Sequence, residues 1–184
     1  MERTIRMALI AVAALLVYGV VHAVTTAKFE KLADLLPQEA SAVTAAERER
    51  QLDCLAINIY REAGYEPFEG KVAVAQVTMN RVEHPEFPTD VCAVVYEKNK
   101  WSGRVVCQFS WYCDSTHRNR PIGEGYKESY EVAKRVLLEG FRLPGLADAL
   151  FYHADYVNPR WRYERIQQIG THIFYRPRTK ANNA

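Results

Sequence analysis

Two apolar stripes at helical spacing, joined by the short link 64–67, constrain this chain most. Leu52, Leu55, Ile59 and Ala63 recur at intervals of three and four, which places them on one face of a helix from about Thr44 to Ala63. Phe68, Val72, Ala75, Met79 and Val82 repeat the pattern. Gly64 stands where a helix C-cap glycine is expected, and Pro67 suits the first position of the next helix, where a missing N–H is harmless. That helix ends before His84-Pro85, and a third, shorter one runs from Pro88 to about Glu97. Residues 98–123 read as a loop region with a short β element built on Gln108–Tyr112. A fourth helix covers roughly Glu124 to Glu139, with Tyr126, Tyr130, Ala133 and Leu137 on one face. Phe151–His153 and His172–Tyr175 read as short strands that pair with each other or with 108–112. The fold class is therefore α+β, mainly helical.

Glu62 breaks the first stripe. It follows Ile59 by three residues and so falls on the apolar face, in the last turn of its helix. Apolar surroundings and the negative end of the helix dipole both disfavour a carboxylate, so both raise its pKa. A carboxylic acid kept protonated near neutrality can donate a proton to a leaving oxygen. A glutamate snorkelling at a helix end would look the same from spacing alone.

The N-terminus carries a second signal. Arg3 and Arg6 precede an apolar stretch, Met7 to Val24, interrupted only by Tyr18, Gly19 and His22. This fits a secretory signal with Val21-His22-Ala23 as its cleavage site, or an uncleaved signal anchor spanning the membrane through residues 7–24. Both readings predict an exported protein, periplasmic or extracytoplasmic, held at the inner membrane if the leader is retained. The expected organisation is a leader at 1–25, a connector that is helical or flexible at 26–50, a catalytic domain at 51–178 and a tail at 179–184.

A net charge of +2, with acidic residues interspersed among the basic ones, excludes the basic stripe of a nucleic-acid binder. Eleven Tyr, seven Phe and three Trp are many for this length; most suit core filling, flat rings also cover the apolar faces of sugars, and composition alone does not separate the two. Cys54, Cys92, Cys107 and Cys113 are even in number and follow the leader, which in an oxidising compartment implies disulfides of three permitted connectivities. A metal site using Cys113 and His117 matches no standard zinc spacing, so neither metal nor cofactor is expected.

Tyr60-Arg61-Glu62-Ala63-Gly64-Tyr65-Glu66-Pro67-Phe68-Glu69-Gly70-Lys71-Val72-Ala73-Val74-Ala75-Gln76-Val77-Thr78-Met79-Asn80-Arg81-Val82 resembles the opening of the bacterial cell wall hydrolase family that includes spore-cortex-lytic enzymes. The resemblance continues through Pro85-Glu86-Phe87-Pro88, Val91–Tyr96 and Cys107-Gln108-Phe109-Ser110. It resumes at Tyr152–Val157 and ends with Ile169–Tyr175. It implies a lysozyme-like, transglycosylase-type domain with a small β element, Glu62 at the position of the catalytic glutamate, and the pairs Cys54–Cys92 and Cys107–Cys113. The family usually reads Glu-Ala-Arg-Gly-Glu, whereas Glu62-Ala63-Gly64-Tyr65-Glu66 replaces the Arg-Gly pair and keeps both glutamates.

The implied activity is cleavage of peptidoglycan glycan strands between N-acetylmuramic acid and N-acetylglucosamine by a monomer. Gln108, Phe109, Ser110, Tyr152 and His153 are the expected groove residues, mixing amide, hydroxyl, imidazole and ring surface. Glu66 and Asp155 are the expected supporting carboxylates. With one clear acid, a lytic transglycosylase is favoured over a muramidase-type hydrolase, which usually needs a second carboxylate. A membrane-held phage endolysin and a bacterial remodelling enzyme both fit. A non-catalytic wall-binding module is the alternative of another class. A Ser110–His153–Asp155 triad lacks its G-x-S-x-G elbow, and a zinc amidase lacks H-E-x-x-H.

Overall fold

A computed structural model of the chain describes residues 7, 14–28, 43–101, 103–114 and 119–178. Residues 1–43 and 44–184 form separate compact units. In the first unit, residues 14–28 are helical. The expected inner-membrane anchor is corrected here. Among the described residues no helix is long and apolar enough to cross a membrane. The rest of the leader, most of the connector, the tail and His117 lie outside the described residues.

The second unit begins at Thr44, whose side chain accepts from the Glu47 backbone N–H at 3.1 Å and so caps helix α1, Ala45–Ala63. Leu52, Leu55, Ile59 and Ala63 are all buried along it. Full burial of Leu55 and Ile59 stabilises by about 1.5–3 kcal/mol each. Gly64 is the C-cap, as expected. It keeps right-handed helical angles, φ −57° and ψ −31°, rather than a left-handed cap. A Cβ there would stand 2.5 Å from the Tyr60 carbonyl oxygen.

Helix α2, Phe68–Glu83, starts one residue later than expected, with Pro67 as its N-cap. Its apolar pattern predicts one buried face, yet every residue from Gly70 to Arg81 is buried. The reason is its central position. Val72, Ala75 and Met79 pack with α1, while Ala73 and Val77 pack with Leu146, Ala149 and Phe174 on the other side. Its polar residues are equally committed. The Gln76 amide oxygen accepts from the Leu143 N–H at 2.8 Å. Asn80 Nδ2 donates to the carbonyls of Leu146 and Ala149 at 2.8 and 2.9 Å. These bonds fix the segment that feeds the β-sheet. Asn80→Ala takes its donor from the Ala149 carbonyl, while the Leu146 carbonyl keeps the Ala149 N–H, and is expected to lower stability by about 1–2 kcal/mol, read as a reduced midpoint in urea unfolding at unchanged slope.

Helix α3, Val91–Val95, is shorter than predicted because Asp90 caps it, accepting from the Ala93 N–H at 2.8 Å. Strands β1, Lys98–Trp101, and β2, Arg104–Cys107, form an antiparallel hairpin. The β element thus lies before Gln108, not on Gln108–Tyr112 as expected. Residues Ser110–Cys113 form instead the short helix α4. Disulfides join Cys54 to Cys92, linking α1 to α3, and Cys107 to Cys113, closing a small loop around residues 108–112. Helix α5, Glu124–Leu137, packs on α1 and α2 and places Glu128 2.6 Å from the buried Lys71 ammonium.

Strands β3, Phe151–Ala154, β4, Glu164–Ile169, and β5, His172–Arg176, make a second sheet in the order β3-β5-β4, all antiparallel. The two predicted strands pair with each other, in the register Tyr152↔Phe174 and His153↔Ile173. Strand β4 was not legible, since Glu164–Ile169 alternates poorly and carries an irregularity between Arg165 and Gln167.

Candidate active site

The end of α1, the last turn of α2, residues 107–110 and strand β3 enclose a cleft of about 300 Å³. Glu62, Arg81, Cys107, Gln108, Phe109, Ser110, Phe151, Tyr152 and Trp161 line it. Glu62 is half-buried as a residue, but its carboxyl group is enclosed by protein. Burial raises its pKa above the ordinary 4.5, against smaller opposing effects of the Tyr152 hydroxyl and the Arg81 charge. Desolvation therefore dominates.

The Tyr152 hydroxyl donates to Glu62 Oε2 at 3.0 Å. Burial and the neighbouring carboxylate push this phenol well above its usual pKa, so it remains a donor at any working pH. Strand β3 aims it, and β3 is held by β5. Arg81, buried in α2, donates through Nε to the Leu150 carbonyl at 2.9 Å. Its guanidinium lies over the Phe109 and Phe87 rings at 5.1 and 5.5 Å. With the Gln108 amide oxygen turned to Arg81, that oxygen accepts from Nη1 and Nη2 at 3.1 and 3.2 Å, and the amide nitrogen donates to Glu97 at 3.3 Å. Gln108 and Arg81 thus brace each other at the rim.

The cleft brings together Glu62, Gln108, Phe109, Ser110 and Tyr152. Phe109 is buried and serves the core as well, whereas Ser110 is exposed. Three expected residues are elsewhere. His153 does not line the cleft: it stacks on Tyr175 at 5.2 Å, and its Nε2 pairs with the Tyr175 hydroxyl at 2.9 Å. Glu66 turns to the β4–β5 turn, where Thr171 N–H donates to it at 3.2 Å. Asp155 is exposed, and its N–H donates to the Thr171 carbonyl at 2.8 Å. His172 is buried.

Sequence reasoning assigned no role to Arg81, Phe151 or Trp161. Arg81 had a readable signal, a cation inside the apolar run Val72–Val82. Trp161 had none, because only the fold carries its loop to Phe151 and His153, with ring centroids 6.3 and 5.4 Å apart. A second, larger cleft of about 530 Å³ lies beside Asp53, Ile57 and Arg61 on another face of α1. It holds exposed charges of both signs but no enclosed acid.

The fold and the cleft together define a mainly helical domain with an enclosed glutamate at a helix end facing an aromatic-rimmed hollow. The profile of the Cell Wall Hydrolase family matches residues 65–175, and the chain belongs to that family. The matched span starts just after Glu62, so the role of Glu62 rests on other grounds. The chain is 32% identical over 124 residues to the spore cortex-lytic enzyme of Bacillus subtilis (strain 168), covering 65% of this chain and 35% of that protein. It is 29% identical over 141 residues to the spore cortex-lytic enzyme of Halalkalibacterium halodurans, covering 74% and 38%. It thus spans well under half the length of these curated relatives.

Among solved structures, it is similar to the catalytic domain of the Bacillus cereus SleB protein, with a TM-score of 0.52 and 27% identity over 70% of this chain and 91% of that one. It is also similar to the catalytic domain of the germination-specific lytic transglycosylase SleB from Bacillus anthracis, with a TM-score of 0.53 and 29% identity over 70% and 95%.

Proposed function

We propose that residues 51–178 cleave the β-1,4 bond between N-acetylmuramic acid and N-acetylglucosamine in peptidoglycan, as a lytic transglycosylase with Glu62 as general acid and base. The observation that carries this reading is the enclosed Glu62 carboxyl, raised in pKa by burial and held by Tyr152. Similarity to a catalytic domain described as a lytic transglycosylase supports the reaction class.

Protonated Glu62 gives its proton to the glycosidic oxygen as that oxygen leaves from the muramyl C1. The new carboxylate then takes the proton of the muramyl C6 hydroxyl, whose oxygen bonds to C1. The products are a 1,6-anhydro-muramyl end and a free 4-hydroxyl on N-acetylglucosamine, and Glu62 returns protonated. Arg81 and Tyr152 stabilise the transient carboxylate. Phe151 and Trp161 offer ring surface for a pyranose face, and Gln108 and Ser110 offer hydrogen bonds to its hydroxyls. Glu62 is the one carboxylate among the described lining residues. A double-displacement or inverting hydrolase would need a second one nearby, so the internal C6 hydroxyl is the favoured nucleophile.

Digestion of purified sacculi with the full chain, followed by mass spectrometry, tests the product. Anhydro-muramyl ends are expected. Reducing muramic acid ends would replace the transglycosylase with a hydrolase, and free stem peptides would overturn glycan cleavage altogether.

A further inference from the structure

Glu66, in the link between α1 and α2, is built into a slot. The Glu66 side chain is 10% exposed. Its Oε2 accepts from the Thr171 N–H at 3.2 Å, and its Oε1 accepts from the Thr171 hydroxyl. Two glycines make room for it. A Cβ on Gly170, which has φ +57°, would fall 1.7 Å from Glu66 Oε2. A Cβ on Gly70, in α2, would fall 2.8 Å from the Glu66 Cβ. One carboxylate thus joins the start of α2 to the turn that begins β5.

That turn leads to Glu62. The Thr171 carbonyl accepts from the Asp155 N–H at 2.8 Å, which ties the end of β3 to the same point. His172, the next residue, places Nδ1 3.8 Å from Glu66 Oε1, and this buried nitrogen has no hydrogen-bond partner. The opposite side of the story is the Tyr152 ring, met edge-on by the His172 ring at 5.2 Å and 85°. Tyr152 in turn donates to Glu62 Oε2 at 3.0 Å. A continuous contact path therefore runs from Glu66 through the β4–β5 turn and His172 to Tyr152 and Glu62.

We propose that Glu66 is a positioning residue for the reaction: by clamping the β4–β5 turn against α2 it sets the hydrogen bond from Tyr152 to Glu62. This rests on the reading of Glu62 as the acid. Glu66 itself does not reach the cleft, so it acts only through Tyr152.

The test is a double-mutant cycle on the full chain, with glycan cleavage of sacculi as readout. Glu66→Ala is expected to lower kcat by about tenfold with KM nearly unchanged. Tyr152 and Arg81 are the groups that lower the Glu62 pKa against burial. Misplacing Tyr152 removes one of them, so the alkaline limb of the rate profile should move to higher pH, as it should in Tyr152→Phe. In the Tyr152→Phe background, adding Glu66→Ala should change neither kcat nor that limb. Glu66→Gln, which keeps an oxygen acceptor for Thr171, should restore most of kcat. Thr171→Val removes only the hydroxyl donor and repeats the cycle in a gentler form should Glu66→Ala fold poorly.

Additive losses in the double variant, or a loss of rate that tracks only the folded fraction with an unmoved pH limb, would overturn the proposal. The same experiment keeps the two readings apart. Full activity in Glu62→Gln sinks the acid assignment and this inference with it. An inactive Glu62→Gln with additive Glu66 and Tyr152 effects sinks this inference alone.

Discussion

Glu62→Gln is expected to reduce kcat on peptidoglycan by about 10²–10⁴-fold, the range that a positioned general acid supplies. The amide is nearly isosteric and can still accept from Tyr152, so KM should change little. The pH dependence of the wild type follows from the same carboxyl. Only protonated Glu62 can protonate the leaving oxygen, so the rate should fall as pH rises through its raised pKa. Stability follows pH in the same direction. In the unfolded chain Glu62 ionises near 4.5, and in the fold it does so at higher pH. Between those two values the unfolded state binds fewer protons, so folding stability declines as pH rises through the window. Glu62→Gln removes that decline. The variant should therefore melt at a higher temperature than the wild type at neutral pH. The gap should close below pH 4.5, where both forms are neutral. Calorimetry across pH measures it.

Gly170→Ala is expected to lower stability strongly. The residue has φ +57°, where a side chain costs about 1–2 kcal/mol. Its Cβ would also overlap Glu66 Oε2 at 1.7 Å, forcing the carboxylate off Thr171. Losing those bonds in a mostly buried slot adds about 1–3 kcal/mol. Together these predict a loss of about 2–5 kcal/mol, measured by urea unfolding at constant slope. The steric part has its own control. In a Glu66→Ala background the methyl meets no carboxylate, so the further loss from Gly170→Ala should shrink to the backbone part. Equal losses in both backgrounds would remove Glu66 from the account of that turn.

Much of the fold was legible because it follows from local rules. The 3–4 spacing of Leu52, Leu55, Ile59 and Ala63 marked α1, and all of them are buried. The His84-Pro85 break ended α2 at Glu83 as expected. Long-range features were less accessible. Nothing local distinguishes a one-faced helix from α2, whose second buried side appears only when Phe174 and Leu146 arrive from elsewhere. Residues 108–112 have aromatic, strand-like composition, yet the Cys107–Cys113 bond closes them into a loop too tight for a strand. Strand β4 exists because β5 pairs with it, not because Glu164–Ile169 favours extension.

The cleft shows the same division. Glu62 was marked by a charge on an apolar stripe, and Arg81 carried a similar mark that went unread. Its buried guanidinium braces Gln108 and faces the acid. Tyr152 and Gln108 came from motif resemblance and line the cleft. His153 was carried along by being next to Tyr152. In the fold it stacks on Tyr175 instead. Trp161 reaches the site through tertiary contacts alone.

The central claim is that the fold keeps Glu62 protonated where an exposed glutamate would be charged. Carbon-13 NMR titration of the glutamate side-chain carboxyls, with the Glu62 signal assigned by its absence in Glu62→Gln, reads this directly. The account predicts a Glu62 midpoint clearly above 4.5, moving higher still in Tyr152→Phe. A midpoint at or below 4.5 would contradict it.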